Sequence, residues 1–149
     1  TDIIGIHDYD DDVEQIRQRY GPETKPETLF DRRRPGGRIL TLDGYPHRGQ
    51  PIMLTEFGGI AYPFNRPPDA PHPWGYSVAS SGDEFARRYH ALNETIVHIP
   101  LFSGFCYTQF ADTFQEANGL LCSDRTPKIP IEQIRAATTL SRSRLPGAV

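Results

Sequence analysis

The feature that most constrains this chain is an alternation. Three short apolar runs rich in β-branched and aromatic residues are each followed by a stretch with helical spacing. The runs are Asp2-Ile3-Ile4-Gly5-Ile6-His7, Pro51-Ile52-Met53-Leu54-Thr55, and a third from about Gly104 to Phe110. After the first, acidic Asp8 to Asp12 precedes Val13, Ile16 and Tyr20, spaced three and four apart. Negative charge in a first turn complements the helix dipole, so residues 11–20 read as a helix, which Gly21-Pro22 stops. After the second run, Ser81-Gly82-Asp83-Glu84 forms a capping box, and Phe85, Tyr89, Leu92 and Ile96 recur at four, three and four. That spacing places one apolar stripe along a helix of about four turns. Ile131, Ile134 and Thr138 indicate a last helix. Strand and helix in alternation argue for parallel strands joined by right-handed crossovers, hence an α/β fold.

Between these elements lie long connections. Glycine and proline number 13 and 14. Residues 22–50 read as loop, with Pro26, Pro35-Gly36-Gly37 and Asp43-Gly44, and at most a short strand at Arg38–Leu42. Ile60 to Ser80 is a second loop, carrying Pro63, Pro67, Pro68, Pro71, Pro73 and the single tryptophan, Trp74. Loops beyond roughly 12–15 residues are usually functional or disordered; here Tyr62, Phe64, Trp74 and Tyr76 argue against disorder. With 37% apolar and 11% aromatic residues the chain can fill a core. A net charge of −3 lacks the basic character of a nucleic-acid binder. No run approaches the roughly 20 apolar residues of a membrane span.

The 149 residues set a prior of one domain, residues 1–140, with Ser141 to Val149 as a flexible polar tail. The chain opens inside a strand without Met or a signal segment. This is expected either of a piece cut from a longer protein or of an ordinary first strand. Cys106 and Cys122 are too few for a disulfide framework, and unpaired thiols favour a reducing, cytoplasmic setting.

In α/β folds ligands bind beyond the carboxyl ends of the strands. Glu56 stands there, followed by Phe57-Gly58-Gly59, whose glycines admit close backbone approach. It is a nucleophile or base candidate, or else a capping carboxylate. His7, Asp8 and Tyr9 end the first strand on the same rim, and Gln109 and Asp112 follow the third. Asp112 and Asn118 can equally serve as turn-bonding residues. The alternating Asp8, Asp10 and Asp12 lack a calcium loop's glycine and glutamate, since Val13 and Arg19 occupy those places. The five histidines show no metal-ligand spacing, so no metal is expected. Arg32-Arg33-Arg34 reads as a solvated loop, and neither a phosphate-cradling glycine loop nor a G-x-S-x-G elbow occurs, so no cofactor is expected. Cys106, in a strand, is expected to be an inert core thiol.

Together these rim segments resemble the glycoside hydrolases of family two, the β-galactosidase and β-glucuronidase group. The resemblance rests on Pro51-Ile52-Met53-Leu54-Thr55-Glu56-Phe57-Gly58-Gly59, on Trp74-Gly75-Tyr76, and on Gly104-Phe105-Cys106-Tyr107-Thr108-Gln109-Phe110-Ala111-Asp112. The last continues through Gln115-Glu116-Ala117-Asn118-Gly119-Leu120-Leu121 to Asp124-Arg125-Thr126-Pro127-Lys128, and Asp2 to Tyr9 is similar to the family's sixth barrel strand.

The resemblance implies a partial TIM (β/α)8 barrel made of the last three β/α units, the C-terminal part of a retaining β-glycosidase. It implies Glu56 as nucleophile, Tyr9 as the hydroxyl touching it, Trp74 as a sugar-stacking wall, and Tyr107 in place of a tryptophan that floors the sugar. Substrate contacts are then expected from His7, Asp8, Trp74, Tyr107, Gln109 and Asp112. The family's acid/base glutamate lies in an Asn-Glu pair; the only one here, Asn93-Glu94, falls inside the capped helix. The chain is therefore expected to need the rest of its parent and to be inactive alone. Its open sheet edges are expected to promote self-association. The alternative is a non-catalytic α/β module that binds carbohydrate through Trp74, Tyr107 and Asp112.

Overall fold

The computed structural model describes residues 2–33, 35–65 and 74–140. Thr1, Arg34, the prolines at 67, 68, 71 and 73 and the tail expected over 141–149 lie outside the described residues. A three-stranded parallel sheet forms from β1 (Ile4–Asp8), β2 (Ile52–Gly58) and β5 (Gly104–Thr108), with β2 in the centre. The expected α/β alternation is thus present: β1 leads into α1 (Val13–Tyr20), β2 into α3 (Gly82–Val97), and β5 into α4 (Ile131–Thr138).

The sheet has two unlike faces. In register across it, Ile6, Leu54 and Phe105 form one row against the helices. Under them pack Ile16 and Tyr20 of α1 and Phe85, Tyr89, Leu92 and Ile96 of α3, the apolar stripes legible from spacing. The opposite row of Gly5, Met53 and Gly104 is half-open. Helix α3 packs against both α1 and α4. Half of its capping box forms, Ser81 accepting from the Glu84 N–H, while the Glu84 carboxylate reaches one residue further back, to Ser80. The Glu84 carboxylate accepts from the backbone and hydroxyl of Ser80, which holds its pKa below the ordinary value. Asp12 caps α1 by accepting from the Glu14 N–H.

Several expectations are corrected. Pro26–Asp31 within the first loop is a short helix, α2, begun by Pro26 and anchored by buried Leu29 and Phe30. No strand forms over residues 38–42; Gly36, Gly37, Gly44 and Gly49 all take positive φ around it and keep the path turning. The second loop is not wholly irregular: β3 (Ile60–Ala61) and β4 (Ser77–Val78) pair in parallel. β5 ends at Thr108, two residues early, with a cis Thr108–Gln109 peptide. Beyond it the backbone leaves the sheet to pair with residues 118–121, Leu120 donating to Gln109 and Leu121 to Phe110. Cys106 is exposed, because its position on β5 faces the open side of the sheet.

Candidate active site

A β-bulge builds the site. Ile6 pairs with Leu54, but His7 pairs with Glu56, so Thr55 is an extra residue in β2. Without it Glu56 would share the helix-facing side with Ile52 and Leu54, because side chains alternate. The extra residue reverses the parity: Glu56 joins His7 on the open face, and Phe57 takes the buried place, 1% exposed. Bulges are a recurrent means of re-aiming a functional side chain. Thr55 secures this one by donating from its hydroxyl to the Ile6 carbonyl. Gly5 makes room, since a Cβ there would lie 2.8 Å from the Thr55 Oγ1.

On the open face Glu56 meets two partners. The Tyr9 hydroxyl donates to Oε2, and His7 Nδ1 lies 3.4 Å from the same oxygen. Glu56 keeps 41% of its side chain exposed. Burial raises the Tyr9 pKa strongly, and the hydrogen bond to Glu56 and its negative charge add to the rise. Tyr9 therefore remains a proton donor that holds the carboxylate in one orientation. The Tyr76 ring stacks on the Tyr9 ring, a pairing that no local pattern revealed.

Glycines shape the wall. Gly58, at φ +89, lets the Tyr107 ring approach so closely that an added Cβ would sit 2.2 Å from it. Tyr107 is turned to the helix side, edge-on to Phe57 and Tyr89, and its hydroxyl is buried. The structure thus does not bring Tyr107 onto the open face beside Glu56. Trp74 and Tyr76 do border that face: Tyr76 stacks on Tyr9, and Trp74, 44% exposed, meets Tyr76 edge-on.

Asp8 points away from Glu56, being on the helix side of β1. It accepts from the Tyr20 hydroxyl at 2.6 Å and pairs with Arg19 at 3.2 Å, which ties α1 to the strand end. Asp112 binds its own loop, accepting from the Gly119 N–H at 2.8 Å and from Lys128 Nζ at 2.7 Å. Gln109 donates to Asn118 Oδ1 and Glu116. These polar residues brace the rim.

The tyrosines set a pH limit. Burial is the leading cause that raises Tyr9, Tyr89 and Tyr107 above the ordinary value near 10. Their folded state favours the neutral phenol, so this stabilisation is full below about pH 10 and is lost as pH climbs toward the raised folded values. Denaturant titrations are expected to show stability falling from about pH 10 upward; an unchanged midpoint to pH 12 would contradict these burials.

Among the described residues no group of three or more His, Cys, Asp or Glu is placed to hold a metal ion. Glu56 borders neither the groove of about 550 Å³ at α3 and α4 nor that of about 770 Å³ beside β1. The carboxylate sits on an open surface.

No protein-family model matches the chain, and no curated protein matches it. Among solved structures it is similar to a Faecalibacterium prausnitzii β-glucuronidase, with TM-score 0.55 and 19% identity over 95% of this chain and 22% of that one. It is also similar to a Bifidobacterium dentium β-glucuronidase solved with coumarin-3-O-glucuronide, with TM-score 0.54 and 20% identity over 94% and 21%. The chain spans about a fifth of the length of these solved structures. In fold, it is similar to a segment of bacterial β-glucuronidases.

Proposed function

We propose that this chain is the C-terminal part of the catalytic barrel of a retaining β-glycosidase of family two. In this reading β1, β2 and β5 are the sixth, seventh and eighth strands of a (β/α)8 barrel, and Glu56 is the nucleophile. The observation that carries it is the Thr55 bulge, which turns Glu56 onto the open face at the carboxyl end of the central parallel strand, under the Tyr9 hydroxyl.

Both contacts fall on Oε2, so Oε1 is the oxygen that attacks. It forms an ester bond to the anomeric carbon as the glycosidic bond breaks, and the leaving oxygen takes a proton from a second carboxyl group. Water then cleaves the ester with that group acting as base. Retaining enzymes hold the two carboxyl groups about 5–5.5 Å apart. The second belongs to the preceding part of the parent enzyme. Glu94, on α3, is 57% exposed, with His90 Nδ1 4.0 Å from its carboxylate. His7 and Trp74 complete the sugar side, and Asp8, Tyr107, Gln109 and Asp112 support it from behind.

Acid/base help is worth roughly 10²–10⁴-fold, so the isolated chain is expected to release no measurable chromophore from aryl β-glycosides while the complete enzyme does. Brisk turnover by the chain, abolished in Glu56→Gln, would contradict the missing partner. The aromatic border of Trp74 and Tyr76 beside an open carboxylate also fits a module that only binds carbohydrate; this reading requires that Glu56→Gln leave every activity of the complete protein untouched.

In isolation, the outer edge of β1 adjoins the 770 Å³ groove lined by Ile3, Leu40, Leu42 and Tyr45. Leu42 and Tyr45 are 78% and 73% exposed. An open edge beside apolar surface pairs readily. The isolated chain is expected to self-associate through this edge. A monodisperse monomer in sedimentation at high concentration would count against it.

A further inference from the structure

We propose that Tyr76 is a positioning residue for Glu56, acting through Tyr9. The Tyr76 and Tyr9 rings stack with centroids 3.5 Å apart and planes 7° from parallel. Tyr9 comes from the end of β1, whereas Tyr76 is fixed to the chain that leaves Glu56. The Tyr76 N–H donates to the Gly59 carbonyl at 3.0 Å, and the next two residues, Ser77 and Val78, pair with Ile60 and Ala61. A residue anchored to the segment that directly follows the nucleophile's strand therefore holds the ring of the residue that grips the nucleophile from the neighbouring strand.

The surroundings are cut to fit this stack. Gly59 has φ +63, and a Cβ there would lie 2.6 Å from the Tyr76 ring and 3.1 Å from the Tyr9 ring. A Cβ on Gly75 would lie 2.6 Å from the Ala61 Cβ, so glycine is also what lets the Tyr76 segment approach β3. Tyr76 itself is 51% exposed, so core filling does not account for the arrangement.

Tyr9 reaches Glu56 through a phenol that can swing about its side-chain torsions. The stacked ring removes that freedom, leaving Oε2 occupied by Tyr9 and Oε1 presented in one direction. Without Tyr76 the Tyr9 hydroxyl wanders, and Glu56 divides its time between His7 and solvent. Misplacement of a reacting group by about 1 Å can cost on the order of 10²-fold, while sugar contacts elsewhere stay intact.

This inference rests on Glu56 being the nucleophile, and its test has two arms so that the two ideas can fail separately. The first uses the 149-residue chain with labelled tyrosine, reading the ring-proton shifts of Tyr9, identified by their loss in Tyr9→Phe. A face-on neighbour displaces these shifts upfield. The displacement is expected to persist in Tyr76→Phe and to vanish in Tyr76→Ala. Tyr76→Leu keeps apolar bulk without a ring and is expected to behave like Tyr76→Ala, which decides the matter if the alanine variant does not fold. Unchanged Tyr9 shifts in a folded Tyr76→Leu variant would overturn the proposal. The second arm uses the complete enzyme: kcat is expected to fall about 10–100-fold in Tyr76→Leu, with KM within about twofold, and Tyr76→Phe to restore most of it. A rise in KM at constant kcat would make Tyr76 a substrate contact and overturn positioning. If no glycosidase activity exists, the first arm still reports whether the two rings stack in solution, the contact that the positioning role requires.

Discussion

Replacing Glu56 with Gln in the complete enzyme is expected to lower kcat on aryl β-glycosides by about 10⁴-fold or more, the scale on which losing a covalent nucleophile acts. The amide preserves size and still accepts from Tyr9, so the fold is expected to stay intact and KM to change little. Tyr9→Phe removes the hydroxyl bonded to the carboxylate but leaves Glu56 in place, so its loss is expected to be far smaller. Measured side by side, the two variants separate chemistry from orientation. A Glu56→Gln enzyme within tenfold of wild type would remove Glu56 from the mechanism.

Replacing Lys128 with Met is expected to destabilise the fold by about 3–5 kcal/mol, the cost of breaking a buried ion pair from one side. Lys128 is 3% exposed and donates to both Asp112 and the Ala117 carbonyl at 2.7 Å. Without it the Asp112 carboxylate keeps the Gly119 N–H at 2.8 Å as its other described donor. The segment is tight, because a Cβ on Gly119 would come within 2.3 Å of the Asp112 backbone nitrogen. With a urea slope of about 2 kcal/mol/M, the midpoint is expected to move down by roughly 2 M. The double variant Lys128→Met, Asp112→Leu is expected to recover part of the loss, since apolar replacement of both members is often neutral. A Lys128→Met midpoint unchanged from wild type would show that the pair contributes nothing.

Legibility in the sequence followed the range of the interactions. The stripe of Phe85, Tyr89, Leu92 and Ile96 and the Ser81 cap depend on neighbours within one or two turns, and both appear as read. Helix α2 is six residues long, too short to show a period among prolines and glycines. The bulge left a trace: buried Ile52, Leu54 and Phe57 are spaced two and then three apart, the shift an extra residue produces. In β5 the alternation of small Gly104 and Cys106 with large Phe105 and Tyr107 held the clue to an inward ring and an outward thiol, and it went unread because no charged residue marks the open face. Tyr9 and Glu56 are 47 positions apart and Asp112 and Lys128 are 16 apart; such pairs are set by strand register and loop closure. The strand ends put Tyr9 and Glu56 on one rim, and the resemblance to family two supplied their contact. Tyr76 escaped notice as a site residue because its role depends on Gly59 and Gly75 allowing two backbones to close in.

The central claim, that Glu56 forms a covalent bond to sugar, has a direct measurement. A β-glycoside with fluorine in place of the 2-hydroxyl and a good aryl leaving group loses the 2-hydroxyl contacts that strengthen in the transition state, so the ester intermediate accumulates. After brief incubation of the complete enzyme and proteolysis, mass spectrometry is expected to find one added fluoroglycosyl unit on the peptide containing Thr55-Glu56-Phe57, absent in Glu56→Gln. Modification on another carboxylate, or none while the enzyme is being inactivated, would contradict the account.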